Sequence, residues 1–152
     1  MVKVDFNSVA FKDGEIQNFS FNGEGVSVIA FFPGAFTEVC TKEVCSFRDM
    51  MSDFNDLDVE VIGVSVDSPF SLKEFAHQNN LDFTLVSDTS RKIIEQFNVK
   101  ISIPGLNYEV ADRSVFITKN GEIVYEERIE DPSKLPDMDK LGNKLNSLIE
   151  QT

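Results

Sequence analysis

Cysteine occurs twice in this chain, histidine once and tryptophan not at all. Each scarcity narrows the chemistry. Two Cys and one His cannot by themselves complete a common structural zinc site, and the sequence offers no obvious ligand set for haem, so no metal or cofactor is expected. Basic residues are also few, 14 Lys and Arg against 26 Asp and Glu, for a formal net charge of -12. Nucleic acid and anionic membrane are polyanions, and neither is expected as a partner. Long apolar runs are missing too. The longest nearly uncharged stretch, Gly25 to Thr37, is broken by Pro33 and Gly34 and falls short of the roughly 20 residues of a membrane helix. No apolar leader with a small-residue cleavage site follows Met1. A soluble, cytoplasmic protein is the expectation, and there a permanent disulfide staple is disfavoured while redox chemistry is not.

What is present is a sizeable apolar complement: 41% hydrophobic residues, 14 of them Phe, in 152 positions. That suits one well-buried core, and with no internal repeat, low-complexity tract or linker a single domain over residues 1–152 is expected. The run Val26 to Phe32 is rich in β-branched and aromatic residues and ends at Pro33-Gly34, as a buried strand does. Val59 to Val66 has the same character, and the apolar spacing from Cys40 to Phe54 between them is that of an amphipathic helix. Strand, helix, strand implies parallel neighbours.

Further on, Ser68-Pro69 opens a helix through His77, with Ser68 as N-cap. A strand follows near Phe83–Val86, then a helix over 89–97 capped by Asp88. Asn120-Gly121 joins Ser114–Ile117 to Glu122–Tyr125 as an antiparallel hairpin. A last helix, from about Met138 to Ile149, aligns Met138, Leu141, Leu145 and Leu148 on one face. Asp13-Gly14 suggests an N-terminal hairpin laid over the sheet edge. The whole reads as α/β, a mixed central sheet flanked by helices on both faces.

The chemistry concentrates directly after the first buried strand, in Pro33-Gly34-Ala35-Phe36-Thr37-Glu38-Val39-Cys40-Thr41-Lys42-Glu43-Val44-Cys45. Ligand sites in α/β sheets gather beyond the carboxyl ends of the strands. A cysteine in the first turn of the following helix meets unpaired N–H groups and the positive end of the helix dipole, which favours thiolate. Thr37, as N-cap, is placed to accept from the Cys40 N–H. A plain cap or a plain strand end would also account for Thr37 and Pro33.

Pro33-x-x-x-Thr37-x-x-Cys40 resembles the active-site signature of the peroxiredoxins of the AhpC/TSA type. Cys40-x-x-x-x-Cys45 resembles the bacterioferritin-comigratory, peroxiredoxin Q-like class within them. The Val-Ile-Gly-Val-Ser-Val-Asp stretch at 61–67 and Asp112-Arg113-Ser114-Val115-Phe116-Ile117 extend the likeness over almost the whole chain. The resemblance implies a thioredoxin-like fold and a thiol peroxidase. It casts Cys40 as the peroxidatic cysteine, Thr37 as the residue that bonds peroxide and thiolate, Pro33 as the ring over the pocket and Arg113 as the active-site arginine. Glu43 falls where relatives carry a residue that orients the arginine, and Cys45 is cast as the resolving cysteine. Substrates would be hydrogen peroxide and organic hydroperoxides, and the partner a thioredoxin-like or other thiol reductant. The quaternary state stays open, a homodimer among the options.

Without that resemblance, Arg113 reads equally as an ion pair with Asp112 or Glu127, Glu43 as a solvent-facing charge and Cys45 as a small buried residue. The spacing of the two cysteines is itself a difficulty. Five helical residues give about 7.5 Å of rise and roughly 140° of rotation, setting the Cα atoms about 8.6 Å apart, beyond the roughly 7 Å a disulfide tolerates. Resolution by Cys45 therefore requires the first turn to unwind. A one-cysteine peroxidase resolved by an external thiol is the alternative. A general thiol–disulfide oxidoreductase would instead carry Cys-x-x-Cys, and a non-catalytic domain would not need the Pro-Thr-Cys-Arg set. His77 reads as a surface or packing residue, Gly105 as turn geometry near the site, and Phe36 and Phe47 as pocket wall or core.

Overall fold

The computed structural model describes residues 3–54, 59–129, 131 and 134–150, so part of the expected single span, including Met1 and Val2, lies outside them. A seven-stranded sheet organises the chain. Its strands are β1 (Phe6–Lys12), β2 (Glu15–Phe21), β3 (Val26–Phe31), β4 (Val59–Ser65), β5 (Thr84–Ser87), β8 (Ser114–Lys119) and β9 (Glu122–Arg128), in the order β2-β1-β5-β4-β3-β8-β9. β3, β4 and β5 run parallel, whereas β1 joins β5 and β8 joins β3 antiparallel.

The two central strands are apolar on both sides because both sides are covered. Val28 and Ala30 of β3 face α1 (Glu38–Phe54), α2 (Pro69–Asn79) and α4 (Met138–Glu150), through Val44 and Phe47, Leu72 and Phe75, and Leu141, Leu145 and Leu148. Ile29 and Phe31, one residue out of phase, face the opposite layer with Phe6, Phe97 and Phe116. There the covering helix is α3 (Lys92–Gln96). Helices thus lie on both faces, and the arrangement is thioredoxin-like.

Two expectations are corrected. The helix over 89–97 shrinks to five residues, because a turn closed by Arg91 N–H on the Asp88 carbonyl (3.0 Å) comes first and Arg91 takes a left-handed φ of 62°. Asp88 still caps, but from further back, accepting from Ile93 and Ile94 N–H at 3.1 and 2.9 Å. The N-terminal hairpin is not laid over the edge: β1 bonds to β5 and the pair extends the sheet by two strands. Around Pro104-Gly105, β6 (Lys100–Ser102) and β7 (Glu109–Ala111) form a small antiparallel ribbon.

Turn chemistry follows the sequence. Asp13 and Gly14 have φ of 51° and 80°, and Asn120 and Gly121 have 51° and 84°, the two positive angles a tight hairpin needs. Ser68 accepts from Ser71 N–H at 3.2 Å and caps α2 with Pro69 in the first turn. Gly63 of β4 permits a close approach: a Cβ there would lie 2.8 Å from Leu85 Cδ2 and 3.3 Å from Phe32 Cε1. Phe32 is thereby seated one residue before the turn that opens the site.

Candidate active site

β3 ends at Phe31, Phe32 continues the pairing through its N–H to the Val64 carbonyl (3.1 Å), and Pro33 then diverts the chain. The return is tight. Phe36 adopts a left-handed φ of 68°, costly for a residue with a bulky side chain, and its ring packs edge-on to Phe75 of α2 at 5.2 Å. Helix α1 starts two residues later, its ladder opening with Thr41 N–H on the Thr37 carbonyl at 2.9 Å. Cys40 thus stands in the first turn, where backbone N–H groups lack partners one turn back. Its side chain is buried, with 1% exposed.

Arg113 reaches the sulfur from the other side of the sheet order. Antiparallel pairing sets Ser114 of β8 against Phe31, so Arg113, just before β8, lies beside the exit of β3. Its Nη2 donates to Cys40 Sγ at 3.1 Å and its Nη1 donates to Glu43 Oε1 at 2.5 Å. Arg113 is 4% exposed and Glu43 is 0%. Neither an exposed helix charge for Glu43 nor an Asp112 or Glu127 pair for Arg113 survives this geometry. Burial opposes the guanidinium charge, but Glu43 and Cys40 outweigh it and hold Arg113 above its ordinary value.

For Glu43 burial dominates. It pushes the carboxyl up from an ordinary 4.5 to about 8, against the pull of Arg113. The folded state therefore holds a proton that the unfolded chain releases between these values, and stability falls as pH rises through that window. Thermal melts of wild type and E43Q across pH 4.5 to 8 are expected to show this decline in the wild type and a flatter profile in the variant.

Thr37 departs from its expected bond. Its hydroxyl donates to the Gly34 carbonyl at 2.9 Å and is exposed, so it braces the turn and does not accept from the Cys40 N–H. Pro33 is half-buried beside it. Asp67, which motif reading passed over, ties this turn down: its Oδ2 accepts from Ala35 N–H at 2.8 Å and from the Ser65 hydroxyl at 2.7 Å, while its carbonyl accepts from the Ser87 hydroxyl at 2.6 Å. Its place just past the carboxyl end of β4 was the available signal.

Cys45 is not brought to Cys40. It is half-buried and faces α2, where its thiol donates to Asn79 Oδ1 at 3.7 Å, and Arg48 binds the Asn79 carbonyl at 2.7 Å. Both cysteines are free. Phe47 belongs to the core, whereas Phe36 is 50% exposed and shields Phe75. His77 is exposed, its ring meeting Phe11 edge-on at 5.8 Å. Gly105, with φ of 81°, sits at the tip of the β6–β7 ribbon. Among the described residues no group of three or more His, Cys, Asp or Glu is placed to hold a metal ion, and no helix is long and apolar enough to cross a membrane.

Comparison with known proteins points one way. Residues 3–126 match the model of the AhpC/TSA family. The chain is 38% identical over 120 residues to peroxiredoxin Bcp of Escherichia coli strain K12, covering 76% of each protein. It is 36% identical over 131 residues to the chloroplastic peroxiredoxin Q of Populus jackii, covering 82% of this chain and 61% of that one. The crystal structure of Enterococcus faecalis AhpC superposes with a TM-score of 0.83 at 26% identity, over 95% of this chain and 89% of that one.

Proposed function

This chain belongs to the AhpC/TSA family and is a peroxiredoxin, a thiol-dependent peroxidase, and on that footing we propose that Cys40 is its peroxide-reducing nucleophile. The observation that carries the assignment is the Arg113 guanidinium donating to Cys40 Sγ at 3.1 Å in the first turn of α1. A hydrogen bond from a cation stabilises sulfur as the anion, which is the attacking form. The thiolate attacks one peroxide oxygen and the O–O bond breaks. Cys40 becomes a sulfenic acid, and the departing oxygen takes a proton to leave as water or an alcohol. Arg113 offers donors to the charge that develops on that oxygen. Pro33 and Thr37 brace the turn that leads into the first turn of α1, and Glu43 fixes the guanidinium.

Cys45 resolves the sulfenic acid. Its thiol gives up a proton and its sulfur attacks Cys40 Sγ, the hydroxyl takes up a proton and leaves as water, and a Cys40–Cys45 disulfide forms, later reduced by two electrons and two protons from a dithiol partner of the thioredoxin type. Since Cys45 faces Asn79 and Cys40 faces Arg113, the first turn of α1 unwinds to join them. Mass spectrometry after one equivalent of hydrogen peroxide is expected to find an intramolecular link two hydrogens lighter than the reduced chain. A persistent sulfenate, or only a mixed disulfide with added thiol, would replace this route with the one-cysteine alternative. Turnover with thioredoxin should survive in wild type and fail in Cys45→Ser.

A further inference from the structure

Two buried acids share one buried cation. Arg113 divides its two terminal nitrogens between Cys40 and Glu43, and the three side chains are 4%, 1% and 0% exposed. A single guanidinium neutralises a single anion. If both acids were ionised the site would carry a net negative charge without water, and unpaired buried charge is what protein interiors tolerate least. The second carboxyl oxygen, Glu43 Oε2, is buried with no hydrogen-bond partner, as is Arg113 Nε. A carboxylate with one oxygen left bare is poorly held as an anion, and burying the neutral acid costs less than burying the charge.

We propose that Glu43 is the proton reservoir of the peroxide step: in the reduced enzyme the Cys40–Glu43 pair holds one proton, on Glu43, and Glu43 gives it up when Cys40 is oxidised. This rests on Cys40 being the nucleophile. The step balances in atoms and charge. Cys40 thiolate, Arg113 cation, Glu43 carboxylic acid and hydrogen peroxide become Cys40 sulfenic acid, Arg113 cation, Glu43 carboxylate and water. The S–O bond forms as the O–O bond breaks, and the proton lost by Glu43 accounts for the one gained by the departing oxygen. The site is neutral before and after, since Arg113 exchanges its anion partner from sulfur to carboxylate. Burial raises the Glu43 carboxyl to about 8, in keeping with this. The charges that act here are Arg113 on Glu43, and Glu43 with Cys40 on Arg113.

The test uses the Cys45→Ser protein, which stops at the sulfenic acid, at neutral pH. Infrared difference spectra on adding one equivalent of hydrogen peroxide should lose a protonated-carboxyl band, and the band should be absent from the E43Q version. In weak buffer with an indicator dye, proton uptake per Cys40 oxidised should be close to zero, rising to about one in E43Q, where the proton comes from solvent. This stoichiometry does not depend on rate, so it is readable even if E43Q reacts slowly. Absence of the band in the reduced protein, its survival through oxidation, or equal proton uptake with and without Glu43 overturns the proposal. Should E43Q fail to fold, the band in the Cys45→Ser protein decides alone. Failure of Cys40 to oxidise at all would instead sink the nucleophile assignment.

Discussion

Replacing Cys40 with serine is expected to abolish the reaction with hydrogen peroxide, leaving no phase in a stopped-flow record that follows thiol loss in the reduced wild type within milliseconds to seconds. The physical reason is the nucleophile itself. A serine hydroxyl of nearly the same shape fits the first turn of α1, but it stays protonated beside Arg113, and a neutral hydroxyl does not displace oxygen from a peroxide. No other group in the site replaces it: Cys45 faces α2 and Asn79, and His77 lies out on the surface against Phe11. Because Cys40 contributes to the buried layer that includes Val44 and Phe47, a melting curve should accompany the kinetics. A C40S protein with the wild-type melt and the wild-type peroxide rate would move the chemistry to another residue.

Arg113→Ala should give the second-largest loss, about 10²–10³-fold in the second-order rate of Cys40 oxidation, the range seen on removal of a donor aimed at developing charge. Arg113→Lys should recover part of this at most. The guanidinium spans sulfur and carboxylate with two separate nitrogens, while an ammonium is a single point that serves one partner well. Stability should fall as well, because Glu43, holding its proton, would stay buried without the Arg113 donor to its Oε1, and a buried polar group left without its partner costs about 1–3 kcal/mol. Rates measured below the melting transition separate the two effects. An alanine variant that oxidises as fast as the wild type would reduce Arg113 to a structural ion pair.

Much of the fold was legible because it is written in local patterns. The apolar run from Val26 announced a strand covered on both faces, and Asn120-Gly121 announced a turn whose positive φ angles few other residues accept. The errors came where local signals compete. Asp88 is a good capping residue, yet the turn to Arg91 delayed the helix, leaving five residues where nine were expected. Thr37 stands where an N-cap belongs, but the Gly34 carbonyl took its hydroxyl. Asp67 escaped attention because its role depends on a loop 32 residues earlier.

The sequence by itself determined the main strands and helices, though not the β6–β7 ribbon, and the placing of a thiol at the start of a helix after a strand, since each depends on neighbours within a few positions. The pairing of Glu43 with Arg113, 70 residues apart, was implied by the resemblance, but only the tertiary structure decided that both are buried with Cys40 and that Cys45 turns the other way. Those outcomes follow from how β8 registers against β3 and how α1 rolls over the sheet. Burial then does the rest: with water removed, one guanidinium must serve two acids, a constraint no linear pattern contains.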